Sequence, residues 1–263
     1  MRRMESLLII KNILNKVKID KITIIFIFIC FITGLIKELI CLFILMSFHE
    51  LGHLLFSYIF KWNLNKTIIY PFGCLIKYND LIDKPLYQEF IITIMGPIFQ
   101  IIIYLVFYYL NSQYYIDDYL FNILEKYHFG ILIFNLIPII PLDGSKILNI
   151  LLNKLFSFRL SYYLLLLISI IITLVGFILL FNNYSYIFVF SFIITETILY
   201  IKNRHIIFNR FIYEKYLYKN NYRHIYKVNN LNKMKRNKRH LIKINNNYYS
   251  EKIGIKKIKG VNS

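Results

Sequence analysis

The sequence predicts an all-α polytopic membrane protein: about six transmembrane helices, a membrane-dipping hairpin between the second and third, and a short basic cytoplasmic tail. Three observations carry that expectation. Hydrophobic residues make up 57% of the 263 positions, above the roughly 45–50% apolar share of a soluble globular chain. They gather in runs near 20 residues long, the length that crosses a hydrocarbon core of about 30 Å. The charged residues between those runs alternate in kind from one connection to the next, as they do in chains that weave through a bilayer.

The elements follow in order. A basic segment carrying Arg2, Arg3, Lys11, Lys16, Lys18 and Lys21 precedes an apolar run from Ile22 to Ile36. No small-residue cleavage site follows that run, so it reads as a retained first helix rather than a signal peptide. Lys37-Glu38 makes a turn into a second helix, from near Leu39 to near Phe60. Lys61 to Gln88 is a polar connection. The third helix is expected over Glu89 to Leu110, the fourth over Tyr127 to Leu152, the fifth over Leu160 to Phe181 and the sixth over Tyr184 to Ile201.

Loop charge fixes the expected orientation. The N-terminal segment, the connection with Lys61, Lys66, Lys77 and Lys84, and the one with Lys146, Lys154 and Arg159 are basic. The opposite connections hold Lys37, then Asp117, Asp118, Glu125 and Lys126, then the uncharged Asn182-Asn183. Basic loops stay cytoplasmic, so both termini are expected on the cytoplasmic side. Positions 1–203 form the expected membrane domain and 204–263 the tail.

The tail is strongly basic. Residues 202–263 hold 17 Lys and Arg against Glu214 and Glu251, a net +15 of the chain's +18. Arg204 to Lys219 mixes aromatic, aliphatic and basic residues and can lie as an amphipathic helix on anionic headgroups. From Asn220 onward the Asn- and Lys-rich stretch reads as a small degraded module or as disordered chain. The chain has no alanine and abounds in Ile, Lys, Asn, Tyr and Phe. That pattern points to nucleotide bias in the coding DNA, so part of the lysine is drift and no direct nucleic-acid partner is expected. Cys30, Cys41 and Cys74 are too few for a disulfide framework.

Chemistry concentrates at Ser47-Phe48-His49-Glu50-Leu51-Gly52-His53. Two histidines four apart share one helical face, with a carboxylate beside the first. Such imidazoles can bind zinc at about 2.0–2.1 Å, and a catalytic site adds a third protein ligand and an open position. Glu50 then serves as general base toward the attacking water. The pattern arises by chance in soluble proteins. Inside an apolar helix it is harder to dismiss, because a mid-membrane carboxylate costs roughly 2.5–3.5 kcal/mol on insertion scales.

The fourth helix offers Phe134-Asn135-Leu136-Ile137-Pro138-Ile139-Ile140-Pro141-Leu142-Asp143-Gly144. Two prolines break it and free backbone groups, which is tolerated where the backbone is buried in protein or lines a wet cavity. Asp143 after the break is the candidate third ligand, and Asn135 can donate its amide to a developing oxyanion. The bland alternative makes Asp143-Gly144 a polar helix end. Thr67 to Tyr70 and Leu75 to Tyr78, joined by Pro71-Phe72-Gly73-Cys74, read as a hairpin whose edge an extended substrate could join. Glu196 and His128 read as interface residues.

Taken together, Phe48 to His53, Met95-Gly96-Pro97 and the run from Asn135 to Gly144 resemble the signature set of the site-2 protease family of intramembrane zinc metalloproteases. The resemblance covers about residues 20 to 220. It is nearest to the subgroup that processes a membrane-associated sigma-factor precursor in the mother cell of a sporulating bacterium. That subgroup also shows elements like Pro71-Phe72-Gly73 and Asn209 to Tyr216. The resemblance implies one Zn2+ per chain held by His49, His53 and Asp143, with Glu50 as catalytic base and Asn135 assisting. It implies close helix packing at Gly96-Pro97, a membrane-associated protein substrate and inhibitory membrane proteins as partners; self-association stays open. Two departures are local: Gly144 is followed by Ser145 and Gly73 by Cys74 where relatives often have glycine. A larger one is the tail, which is shorter than the regulatory CBS domain the subgroup carries. Other readings are a general protease for membrane-tethered regulators and, in a different class, a membrane metal transporter or a scaffold.

Overall fold

The computed structural model describes residues 17–70, 73–180, 187–218, 222, 224–245 and 247–259. Arg2, Arg3, Lys11, Lys16, the Pro71-Phe72 turn and Asn182-Asn183 lie outside these described residues. The chain divides into two compact units. One comprises positions up to Asp80 together with Ile91–Asn135, and the other comprises Leu81–Phe90 together with Leu136 onward.

The first unit opens with β1 (Val17–Ile19) and α1 (Lys21–Ile32). The chain then turns at Gly34, whose φ of 76° lies in the left-handed region that glycine enters without steric cost. The turn therefore falls just before the expected Lys37-Glu38. The long helix α2 (Ile36–Ile59) follows. Next come β2 (Leu64–Tyr70) and β3 (Gly73–Tyr78), which pair antiparallel, while β1 joins β2 in parallel to give the order β1-β2-β3. Most of α3 (Leu86–Ser112) and all of α4 (Asp118–Leu136) complete the unit. Cys41, Leu45 and Leu124 are buried together, with Ile103, Tyr104 and Phe107 packed against them.

The second unit holds α5 (Asp143–Leu155), α6 (Phe158–Leu180), α7 (Ile187–Lys202) and α8 (Arg204–Leu217). A small module follows: β4 (Ile225–Val228), β5 (Arg239–Ile244), β6 (Asn247–Ser250) and α9 (Glu251–Lys259). Its strands run in the order β4-β5-β6, the first pair parallel and the second antiparallel. Phe211, Ile212, Met234, Ile242 and Ile255 form its core, and Phe158 at the start of α6 is part of it, stacked on Phe211 with ring centres 4.3 Å apart.

Two expectations are corrected. The fold is mostly helical but not all-α, because it contains two three-stranded sheets. The β-branched and aromatic side chains of Thr67 to Tyr70 and of β5 and β6 favour a pleated surface over a helix. The single helix expected over Tyr127 to Leu152 is two helices, α4 and α5, because Pro138 and Pro141 remove backbone donors and clash with the preceding turn. Among the described residues α2, α3 and α6 are long and apolar enough to cross a membrane. Ile171, Leu174, Val175, Ile178 and Leu179 on α6 are exposed, an apolar face suited to lipid rather than water. These features indicate an integral membrane protein.

Candidate metal centre

Helix α2 is built of Ile, Leu and Phe around the histidine motif, so its stability does not depend on the polar residues it carries. The spacing of four puts His49 and His53 one turn apart on one face, and both are buried, at 3% and 4% exposure. Their Nε2 atoms stand 3.2 Å apart.

The protons on these rings follow from their partners. His53 Nδ1 lies 2.8 Å from the carbonyl oxygen of Ile92, which can only accept, so Nδ1 carries the proton. Gln100 donates its amide Nε2–H to the carbonyl of His128 at 2.9 Å, which turns its Oε1 toward His49. His49 Nδ1 therefore donates to that oxygen, at 2.9 Å. Both Nε2 atoms are then acceptors, with lone pairs converging on one small space. Two nitrogens bound at about 2.0–2.1 Å to one tetrahedral ion stand roughly 3.3 Å apart. The observed separation fits that arrangement.

Space for an ion is set by glycine. A Cβ on Gly96 would lie 2.3 Å from His53 Nε2 and 2.9 Å from His49 Nε2, so a side chain there would fill the place where the lone pairs meet. A Cβ on Gly52 would strike the Met95 carbonyl oxygen at 2.2 Å. Gly52 and Gly96 thus let α2 and α3 approach closely, the packing that the Met95-Gly96-Pro97 motif implied. Ser57, one turn beyond His53, donates to the His53 carbonyl at 2.6 Å and meets the Tyr78 hydroxyl of β3 at 2.6 Å.

The remaining expected residues are placed as follows. Glu50 is half-buried on α2 next to His49. Asn135 is buried near the end of α4. Asp143 belongs to the second unit, where it is buried as the first residue of α5, at the positive end of that helix. Its Oδ1 accepts from Lys146 Nζ at 2.8 Å. Gly144 fits because a Cβ there would meet the carbonyl oxygens of Leu136 and Ile137 at 2.2 and 2.5 Å. Ser145 is accommodated, its hydroxyl donating to the Leu142 carbonyl at 2.7 Å. The Cys74 side chain lies outside the described residues.

Sequence reasoning missed Gln100 and the Ile92 carbonyl, which hold the two imidazoles. His128, expected at an interface, supplies the carbonyl that orients Gln100 and stacks its ring on Tyr104 at 4.2 Å. A signal for Gln100 was available: an uncharged amide within the apolar run from Ile98 to Val106, where a buried polar group needs partners.

Comparison with known proteins bears on this geometry. The sequence model described as Peptidase family M50 matches residues 37–126, which include His49, Glu50, His53 and Gly96. Stage IV sporulation protein FB of Bacillus subtilis (strain 168) is 33% identical over 133 residues, 51% of this chain and 46% of that protein. The chain thus matches just under half the length of that relative. The site-2 protease from Methanocaldococcus jannaschii shares the fold, with a TM-score of 0.56 and 23% identity over 69% of this chain and 88% of that one. The match over residues 37–126 and the 33% identical relative support an M50 family assignment. That family is one of metalloproteases, and His49, His53 and Asp143 are residue types that could serve as metal ligands. Two imidazoles and one carboxylate are donors that zinc accepts, with a fourth position left open.

Proposed function

We propose that the chain is an intramembrane zinc metalloendopeptidase that cleaves a membrane-associated protein. The observation that carries this reading is the pair of Nε2 acceptors 3.2 Å apart, each with its Nδ1–H committed to a fixed partner, on a helix apolar enough to span a bilayer. His49, His53 and Asp143 would hold the zinc. When bound, zinc supplies a Lewis acid that makes water a nucleophile near neutral pH.

The chain's own groups do the rest. Glu50 takes the proton from the attacking water and delivers it to the leaving amide nitrogen, so the C–N bond breaks with an amine rather than an amide anion departing. Asn135 donates its side-chain N–H to the oxyanion as the carbonyl becomes tetrahedral. Lys146 Nζ sets a positive charge 2.8 Å from Asp143 Oδ1 and orients that carboxylate. An unwound substrate segment would add to β3 at the outer edge of its sheet, which exposes main-chain groups that a helical substrate hides. The six-span topology with both termini cytoplasmic is part of the same proposal.

Similarity to stage IV sporulation protein FB favours a sigma-factor precursor in a sporulating cell as the substrate. The test is co-expression with a membrane-tethered sigma-factor precursor. Wild type releases a shortened product, and Glu50→Gln lowers its formation by about 10²–10⁴-fold, the usual contribution of a general base. Processing by Glu50→Gln at the wild-type rate would remove the protease reading. A wild type that cleaves another tethered protein but spares the precursor would remove only the sporulation assignment.

A further inference from the structure

A cavity of about 220 Å³ lies at the start of α6, lined by Arg159, Tyr162, Tyr163, Arg204, His205 and Phe208, with no carboxylate among its described lining residues. Its level in the fold follows from ring contacts. Tyr162 stacks on Tyr200 at 4.2 Å and Phe177 meets Phe190 at 5.4 Å, so α6 and α7 run antiparallel. The start of α6 therefore lies level with the end of α7 at Lys202 and with Arg204 just beyond it. Helix α6 is long and apolar enough to cross a membrane. The cavity thus opens at the polar end of a span, the depth where headgroups meet Lys, Arg and aromatic side chains.

The cations are held ready. The Arg159 guanidinium lies 5.6 Å from the ring centre of Phe208 and 5.9 Å from that of Tyr163, contacts that orient it while leaving its in-plane N–H donors usable. Arg204 Nε donates to His205 Nε2 at 3.2 Å, which uses one of its five donors and leaves Nδ1–H as the donor of a neutral His205. The walls at Tyr162, Tyr163 and Phe208 are aromatic, as a ligand with a polar head and an apolar body requires.

We propose that this cavity binds the phosphodiester headgroup of an anionic phospholipid. Arg159 and Arg204 donate to the phosphate oxygens, planar forks suited to that geometry, and the aromatic walls hold the glycerol and the first acyl carbons. The proposal is independent of whether the chain cleaves anything.

Native mass spectrometry of the full-length chain in detergent, titrated with dioleoylphosphatidylglycerol or dioleoylphosphatidylcholine, tests it. The anionic lipid is expected to be retained about 25-fold more tightly, with each arginine lost costing about 5-fold. Arg159→Gln with Arg204→Gln should therefore abolish the preference. Arg204→Gln alone, at an exposed position, gives the single step if the double variant does not fold. Lys126→Gln, a cation elsewhere, should leave retention unchanged. Equal retention of the two lipids, or a preference undiminished in Arg204→Gln, overturns the proposal. So does sn-glycerol 3-phosphate binding as tightly as the lipid, which would make the ligand a soluble phosphate.

Discussion

The histidine pair on α2 and the C-terminal module solve opposite problems. Around His49 and His53 the chain holds neutral polar groups in an apolar setting, through one amide, two carbonyls and two glycines that bring helices together. In the C-terminal module it buries full charges. Lys215 is completely buried, with Nζ 2.7 Å from Asp83 Oδ2 and 2.8 Å from the Lys238 carbonyl. Asp83 Oδ1 also accepts the Asn237 N–H at 2.8 Å, and Arg236 meets Glu89 at 2.8 Å. The lesson is about where free energy resides. The first region arranges lone pairs for a ligand to come, whereas the second is complete in itself and depends on each partner being present.

The sharpest way to break that contrast is to remove one charge from the module. Asp83→Ala leaves the Lys215 ammonium buried without its nearest carboxylate, and loss of one member of a buried pair costs about 3–5 kcal/mol. Hydrogen exchange over 225–259 is expected to accelerate by a corresponding factor, while exchange in α2 stays as in wild type. Unchanged protection of the module would show that the ion pair does not hold it.

A change at the candidate metal centre should act on binding rather than stability. Gln100→Leu removes the acceptor of His49 Nδ1–H at nearly the same volume. Loss of such a partner typically costs 10–100-fold in metal affinity, which competition with a zinc chelator measures. Gln100→Glu, which restores an acceptor, is expected to recover most of it. An affinity unaffected by Gln100→Leu would mean that the imidazole is fixed by packing alone.

The smallest effect is a pH dependence at Glu214. Burial pushes its carboxyl above the ordinary 4.5, against the lowering influence of the Ile82 and Asp83 amides and of Arg210. The folded chain therefore binds this proton more readily than the unfolded one. The contribution of Glu214 to stability is full below 4.5 and declines as pH rises from there through its raised value. Thermal melts of Glu214→Gln against wild type should show a difference that shifts in favour of the variant across that interval. A difference that shifts the other way would place the folded value below 4.5.

What was legible in the sequence divides along the same line. The spacing of His49 and His53 is fixed by helix geometry, so five residues sufficed to put two imidazoles on one face. The break at Pro138 and Pro141 was equally local. Gln100 was not legible as a partner of His49, because which face of α3 meets α2 depends on close packing at Gly52 and Gly96. The pairing of β1 with β2 joins segments about 50 residues apart, and three residues carry too little pattern to announce it. Lys215 was misjudged for a physical reason. Within Arg204 to Lys219 it was expected on an amphipathic helix facing anionic headgroups, and only the fold brings Asp83 to it from more than 100 positions away. The same separation left open whether the stretch from Asn220 was a small module or disordered chain, because its core unites Ile255 with Phe158.

The central claim is that α2 carries a metal centre, and zinc content measures it most directly. Full-length protein, purified without added chelator and analysed by plasma mass spectrometry, is expected to carry one zinc per chain. Glu50→Gln should carry the same amount, because that residue acts on water and not as a ligand, whereas His49→Ala with His53→Ala should carry almost none. A zinc-free wild type, or a double histidine variant that retains the wild-type amount, would contradict the account.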